Sequence, residues 1–313
     1  MPDTDKKDIV IKPSRQTLFL PVIARALESE KVKPALTDKA AMEIIAKVNY
    51  DFSDLISSFT ELSRIVWIVR SMCFDRLIRD FIRRYPNATI INIGCGMDTT
   101  YERLDNGSIL WYDLDLPDVI SLRKQLLKES EKRKFIACSF LDNDWYKCLD
   151  CSEHILIIAG GVYYFYEEKV IRAFFINLSL MFPTCELVFD VTSPAGVKKA
   201  NRIMRKAGID NKYFLKWGLR DTDTILSWSP RLRFLGKYRT YKQKGISMNF
   251  KSRFLGSIYD ALDIQYIVHF KIRVDYKHIK YITTTNEEIT NYNERHLNDS
   301  FIFYSRLSKL PIR

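Results

Sequence analysis

The residues best placed to do chemistry begin where the apolar run Thr89–Ile93 meets Gly94, Cys95, Gly96, Met97, Asp98, Thr99 and Thr100. Two glycines at the end of a strand permit a tight turn and let a ligand approach the backbone closely. Downstream, the run LWYDLDLP ends a second strand at Asp115, 21 residues after Gly94. A carboxylate there can accept hydrogen bonds from both hydroxyls of a ribose. Asp113 lies on the same strand face and competes for that role, and both acids could instead cap the helix that Pro117 opens. The third glycine of the dinucleotide fingerprint would fall at Thr99, which disfavours a pyrophosphate-bearing cofactor. A nucleoside cofactor without pyrophosphate, such as S-adenosylmethionine, fits the spacing better.

Such a loop needs a parallel sheet to present it. Short apolar runs at Thr89–Ile93, Ile109–Leu114, Lys134–Ala137, His154–Ala159 and Glu186–Asp190 alternate with helical stretches at Val119–Lys132 and Glu167–Met181, the pattern of βαβ units. Ahead of them, apolar positions from Leu62 to Tyr85 recur at three and four and Pro86 closes the run, which predicts one long amphipathic helix. Two shorter helices are expected in Thr17–Leu27 and Ala41–Val48. A helix is expected at Val197–Ala207, and Ile246–Phe250 with Ile264–Val274 is expected to close the sheet as an antiparallel pair. The expected architecture is an α/β, Rossmann-like, mostly parallel doubly wound sheet in one domain over 16–275. It divides into a helical cap (16–61), a cofactor-binding core (62–194), a lid insertion (195–245) and final strands (246–275), with a loose arm (1–15) and a peripheral tail (276–313).

Composition excludes several classes. With 313 residues, 47% hydrophobic and 28% charged, the chain is globular. The longest near-apolar run, Ile155–Tyr166, is too short to cross a bilayer, and the polar start lacks a signal-peptide core, so a cytoplasmic location without membrane partners is expected. Cys148 and Cys151 form a lone CxxC with no second ligand pair, so no metal is expected. The net charge of +11 is uneven: residues 195–280 hold 12 Lys and 8 Arg against 6 Asp. That excess raises the alternative of an RNA-binding protein or RNA methyltransferase, although no recognised RNA-binding signature accompanies it.

Taken together, the blocks TLFLPVIARALESEKVKPALTDKAAMEII, IVRSMCFDRLIRDFI, INIGCGMDTTYERL, WYDLDLPDVISLRKQL, FLDNDWYKCL, ILIIAGGVYYFYEEKV, FPTCELVFDVTSP, KKANRIMRKAG and LSWSPRL resemble the leucine carboxyl methyltransferase family. The family includes polyketide O-methyltransferases and uses S-adenosylmethionine. The resemblance spans roughly residues 15–275. It implies a class I methyltransferase fold, with the loop of Gly94, Cys95, Gly96, Asp98 and Thr99 on the methionine part of the cofactor. It further implies Asp115 and Leu116 at the ribose, Ser139, Phe140 and Leu141 at the adenine, and Arg70 on the cofactor carboxylate. The chain departs from the family at three positions. Thr100 stands where Arg is usual, Ser139 where Asp is common, and Gly160 where many members have Glu. The last two raise the alternative of a non-catalytic S-adenosylmethionine-binding protein.

Methyl transfer from a sulfonium is an in-line displacement that needs alignment above all. Candidate bases are few, since His154 opens a strand and His269, His278 and His296 lie far from the motifs in sequence. The expected acceptor is therefore a carboxylate or an ionisable hydroxyl, on a small molecule or a protein C-terminus. Tyr163 and Tyr164, after the fourth strand, are the expected acceptor-site residues, and Trp217, Arg220 and Trp228 are candidates for a lid.

Overall fold

A computed structural model describes residues 9, 11, 13–57, 60–142, 145–206, 210–241 and 246–273; the 276–313 tail and most of the 1–15 arm lie outside the described residues. One seven-stranded sheet forms the centre: β1 (Thr89–Ile93), β2 (Leu110–Asp115), β3 (Arg133–Ala137), β4 (Ile155–Ala159), β5 (Cys185–Thr192), β6 (Leu232–Arg239) and β7 (Gln265–Ile272), in the order β3-β2-β1-β4-β5-β7-β6. The first five pair in parallel, and β7 runs against both β5 and β6. Every residue of β1, β4 and β5 is buried, which is why these segments are largely apolar with no alternation, the buried Glu186 and Asp190 of β5 being paired.

Helices α1 (Leu20–Ser29), α2 (Lys39–Lys47) and α3 (Ser53–Ser57) form the cap, and α4 (Glu61–Arg84) leads into β1. α5 (Thr100–Leu104) and α6 (Pro117–Leu126) follow β1 and β2, α7 (Glu168–Met181) follows β4, and α8 (Pro194–Lys206), α9 (Thr222–Leu226) and α10 (Phe250–Ala261) come after β5. Local chemistry sets their starts: the Thr60 and Ser63 side chains cap α4 reciprocally, Asp38 Oδ1 accepts from the Ala41 N–H at 2.9 Å, and Pro117 opens α6. Phe174, Phe175 and Leu178 of α7 pack on one sheet face with Phe189, Trp228 and Phe270. On the other face Ile78 and Phe81 of α4 cover Ile90, Trp111 and Leu156.

Two expectations at the sheet's far edge are corrected. Ile246–Phe250 is not a strand; it runs into α10, where Asn249 Oδ1 accepts from the Ser252 N–H at 2.8 Å. The partner of β7 is β6, inside the stretch expected as lid. Arg233, Lys237 and Arg239 are exposed on β6, and its ladder slips between Phe234 and Gly236, so no apolar alternation marks it. The rest of that stretch does cross the carboxyl edge, because Lys216 and Trp217 N–H donate to Tyr164 O and Leu219 N–H to Thr192 O. Its tryptophans are nevertheless core: Trp217 and Trp228 lie 5.8 Å apart and both are buried, leaving Arg220 exposed. Within the expected arm, Ile9 and Ile11 are buried against the cap and Arg15 pairs with Asp118 at 2.7 Å.

At the amino end of β5, the two guanidinium nitrogens of Arg84 reach Glu186 at 3.3 and 3.1 Å, and His269 Nε2 lies 2.8 Å from Glu186 Oε2. Burial works to raise the Glu186 carboxyl, but His269 and Arg84 outweigh it and hold it at about 2, below its ordinary 4.5. A depressed acid stabilises the fold fully above its unfolded value and loses that contribution as pH falls toward the folded one. Glu186→Gln is therefore expected to cost about 1–3 kcal/mol near neutrality, with denaturation midpoints of variant and wild type converging between pH 4.5 and pH 2.

Candidate active site

The turn after β1 is built from backbone that side chains other than glycine resist. Gly94 has φ +63° and Gly96 φ +47°, and a Cβ on Gly94 would meet Val162 Cγ2 at 2.5 Å. Gly94 and Cys95 N–H donate to Leu114 O at 2.8 and 3.2 Å, which ties the loop to β2. Cys95 and Met97 turn away from the cleft into the apolar cluster beneath the cap.

The two candidate ribose acids are separated by their surroundings. Asp113 is fully buried and accepts from Arg123 (2.8 Å), Arg133 (3.0 Å), Trp111 (2.9 Å) and Asn92 (3.1 Å). Arg123 in turn donates to Gly96 O at 2.9 Å, so Asp113 holds the loop from behind. Asp115 is half-buried at the mouth; Oδ2 accepts from Gly96 N–H and Oδ1 from Leu116 N–H, each at 2.7 Å. Each of its oxygens keeps a second lone pair for a hydroxyl donor. Burial raises the Asp115 carboxyl above its ordinary value, and those two N–H groups only partly offset it. Leu116 is exposed beside it.

A second cluster stands at the ends of β4 and β5. Arg70 of α4 donates from Nη1 to Asp190 Oδ2 at 3.1 Å, and Gly161 N–H donates to Asp190 Oδ1 at 2.6 Å. A Cβ on Gly160 would lie 3.9 Å from Arg70 Nε, whereas one on Gly161, at φ +82°, would press on Arg70 Nη1 at 2.9 Å. Asp190 thus supplies Arg70 with a carboxylate in a site where position 160 has none. The Tyr164 hydroxyl reaches the same spot and hydrogen-bonds Arg70; burial, then Asp190, push its phenol well above the ordinary range against the pull of Arg70.

The cap supplies charges that escaped notice in the sequence. Arg25 Nε donates to Asp38 Oδ2 at 2.7 Å and Arg103 Nη1 to the same oxygen at 2.6 Å. Thr99 Oγ1 donates to it at 2.5 Å while accepting from Arg25 and Arg103 at 3.1 and 3.0 Å. Thr99 therefore faces the cap, not the cleft. Asp98 sits at the loop's rim: burial would raise its carboxyl, but Arg25 and Arg103 outweigh that and hold it at about 2. Arg103 also forks onto Asp75 at 2.9 and 2.8 Å and reaches the Thr100 hydroxyl at 3.0 Å. A guanidinium three residues on thus serves the loop from which position 100 lacks one.

Of the remaining candidates, Ser139 and Leu141 lie at the carboxyl end of β3, where Ser139 Oγ accepts from Leu141 N–H at 3.2 Å and Asp142 Oδ2 from Ser139 N–H at 3.3 Å. Phe140 is buried against Tyr163, Tyr166 and Phe174. Tyr163 is corrected as an acceptor-site residue: it is fully buried among Phe140, Phe174, Phe175 and Phe189, and contacts no cleft. Tyr166 stands near enough to Asp115 for that carboxylate to help raise its phenol, after burial. The fold therefore brings together Gly94, Gly96, Asp98, Asp115, Gly160, Arg70 and Tyr164 at the carboxyl ends of β1, β2, β4 and β5. A guanidinium, a half-buried carboxylate with spare lone pairs and a side-chain-free turn have the chemistry that an amino-acid nucleoside such as S-adenosylmethionine requires.

Gly94→Ala combines the strain of φ +63° with the Val162 clash and is expected to cost about 1–3 kcal/mol. Adding Val162→Ala should restore only the part due to the clash, as measured by urea unfolding.

The sequence model of the family described as leucine carboxyl methyltransferase matches residues 19–176. The chain is 27% identical over 222 residues to the tetracenomycin polyketide synthesis O-methyltransferase TcmP of Streptomyces glaucescens, a match covering 70% of this chain and 80% of that protein. It is 32% identical over 133 residues to the S-adenosyl-L-methionine-dependent methyltransferase dpfgK of Gibberella zeae, covering 40% of this chain and 45% of that one. A crystal structure of a DUF574-family protein from Streptomyces avermitilis shares the fold, with a TM-score of 0.53 at 12% identity over 83% of this chain and 97% of that one. With the family match spanning half the chain, the chain belongs to the leucine carboxyl methyltransferase family and is an S-adenosylmethionine-dependent methyltransferase.

Proposed function

We propose that the methyl group goes to an oxygen, a carboxylate or a readily ionised hydroxyl carried by a small molecule or a protein C-terminus. The observation that carries this reading is the state of the phenol beside Arg70. Burial and Asp190 hold the Tyr164 hydroxyl protonated at neutral pH, so it donates a hydrogen bond and does not collect a proton. An acceptor oxygen that is already ionised needs no base. The likeness to TcmP, named as an O-methyltransferase, supports oxygen as the receiving atom.

When bound, S-adenosylmethionine supplies a methyl group activated by its positively charged sulfur. Arg70, held in place by Asp190, presents its remaining N–H groups to the carboxylate of the methionine part. Asp115 accepts from the ribose hydroxyls, and Gly94 and Gly96 leave room for the chain between them. Tyr164 orients the acceptor oxygen, and the strap at 216–219 helps exclude water over Tyr164 and Thr192. An RNA substrate has less support, because Arg233, Lys237 and Arg239 sit on β6, two strands beyond β5.

Calorimetric titration with S-adenosylmethionine and S-adenosylhomocysteine is the direct test. Micromolar binding, about 8 kcal/mol, is expected for wild type, with Asp115→Asn and Arg70→Met each weakened by about 10–100-fold. Because burial raises the Asp115 carboxyl, affinity should fall as pH drops through that raised value, and Asp115→Asn should lose this dependence. Turnover on a panel of carboxylic acids, phenols and amines then decides the acceptor. A rate that is flat across neutral pH marks a carboxylate, one that climbs toward pH 10 marks a phenol, and tight cofactor binding with no product on any acceptor would sink the O-methyltransferase reading in favour of a non-catalytic binder.

A further inference from the structure

Helix α10 is built inside out. Its buried face carries Ser252, Gly256 and Asp260, small or polar residues four apart. Gly256 lies against the Tyr241 side chain, where a Cβ would be 2.9 Å from its Cβ, Cγ and Cδ1, and Asp260 accepts from the Thr240 and Tyr241 N–H groups at 3.1 and 3.0 Å. The opposite face carries Phe250, Phe254, Ile258 and Leu262, which are 86%, 61%, 37% and 59% exposed. Residues four apart on a helix share one side, so the apolar stripe of this helix points at solvent over its whole length. Scattered surface apolar residues are ordinary, but a contiguous stripe calls for something to cover it.

Charge chooses the occupant. Lys251 and Arg253 are exposed on opposite flanks of the stripe, and the sole acid of the helix, Asp260, is buried on the other side. The surrounding stretch 195–280 has 12 Lys and 8 Arg against 6 Asp. A second copy would set two such basic regions face to face, and four side chains fall well short of the about 800 Å² per partner that stable dimers bury. The 276–313 segment offers no complement either, with six Lys and Arg against four Asp and Glu. An apolar stripe between cationic flanks matches the boundary of an anionic bilayer, where the rings enter about 5–10 Å and the cations meet the headgroups.

We infer that α10 is a docking helix for an anionic phospholipid surface. It starts beside Glu61 at the head of α4, whose carboxylate holds Asn249 and Ser252, and ends where Ser193 donates to Leu262 O at 3.5 Å. Both anchors lie at the carboxyl edge of the sheet, where Ser193 follows β5 and α4 begins. The inference does not depend on which acceptor is methylated.

The test is flotation of the full chain with vesicles of phosphatidylcholine alone or mixed with phosphatidylserine. Wild type is expected to float with the mixed vesicles and not with the neutral ones, and to detach at high salt. Phe250→Ser with Phe254→Ser, and separately Lys251→Glu with Arg253→Glu, should each lower partitioning by about tenfold or more while leaving circular dichroism and cofactor affinity unchanged. Wild type that ignores anionic vesicles overturns the inference, as do stripe variants that float like wild type. A wild-type dimer that the serine variant dissolves, without vesicle binding, would assign the stripe to a second copy, and binding to RNA alone would assign the basic flanks to nucleic acid.

Discussion

One buried carboxylate organises the cofactor side of this molecule. Asp113 sits mid-sheet with four donors on it, from β1 (Asn92), its own strand (Trp111), β3 (Arg133) and α6 (Arg123). An uncompensated charge at that depth would be prohibitive, so the four donors must arrive together. Once they do, Arg123 is fixed and its other nitrogen grips Gly96 O. The loop is then held from behind by Asp113 through Arg123, and from the front by Asp115 on the Gly96 N–H. Two acids on one strand thus hold one residue, Gly96, one by way of an arginine on its carbonyl and one directly on its N–H.

The same economy recurs where the chain departs from its family. The cleft has no carboxylate at position 160, yet Arg70 is paired, because Asp190 reaches it from the next strand over. It has no guanidinium at position 100, yet the loop is still ringed by cations, because Arg103 comes up one turn later and Arg25 comes across from the cap. In both cases the fold brings the charge from another part of the chain.

The same logic explains what could be read in advance. The parallel core was legible because strands buried on both faces are mostly apolar, and the runs at Thr89–Ile93 and His154–Ala159 have few other interpretations. Gly94, Gly96 and Asp115 were legible because backbone conformation and strand-end position constrain residue type. Arg25, Asp38 and Arg103 were not, since the partners that assemble them lie 13 to 74 residues away, and a lone charge on an amphipathic helix looks like surface. Tyr163 misled for the converse reason: adjacent tyrosines after a strand look alike, but the turn at 163–165 points one ring into the core and the next into the cleft. β6 was hidden by its own protection, because the arginines and lysine that guard an outer edge erase the pattern by which strands are recognised.

The slot that β7 fills between β5 and β6 gives the molecule a history as well as a shape. A growing chain completes β5 at residue 192, but the strand that satisfies its outer edge begins 73 residues later, at Gln265. At about 5–20 residues per second, roughly 4–15 s pass with that edge open on the ribosome. During this interval β6 has already been made and could occupy the vacancy, which would shut β7 out. Its slipped ladder and its charged side chains suit it poorly to a central place. Release of the chain before Gln265 would yield a molecule that carries Arg70, the glycine loop and Asp115, yet still offers eight unpaired residues of β5 to any strand that passes.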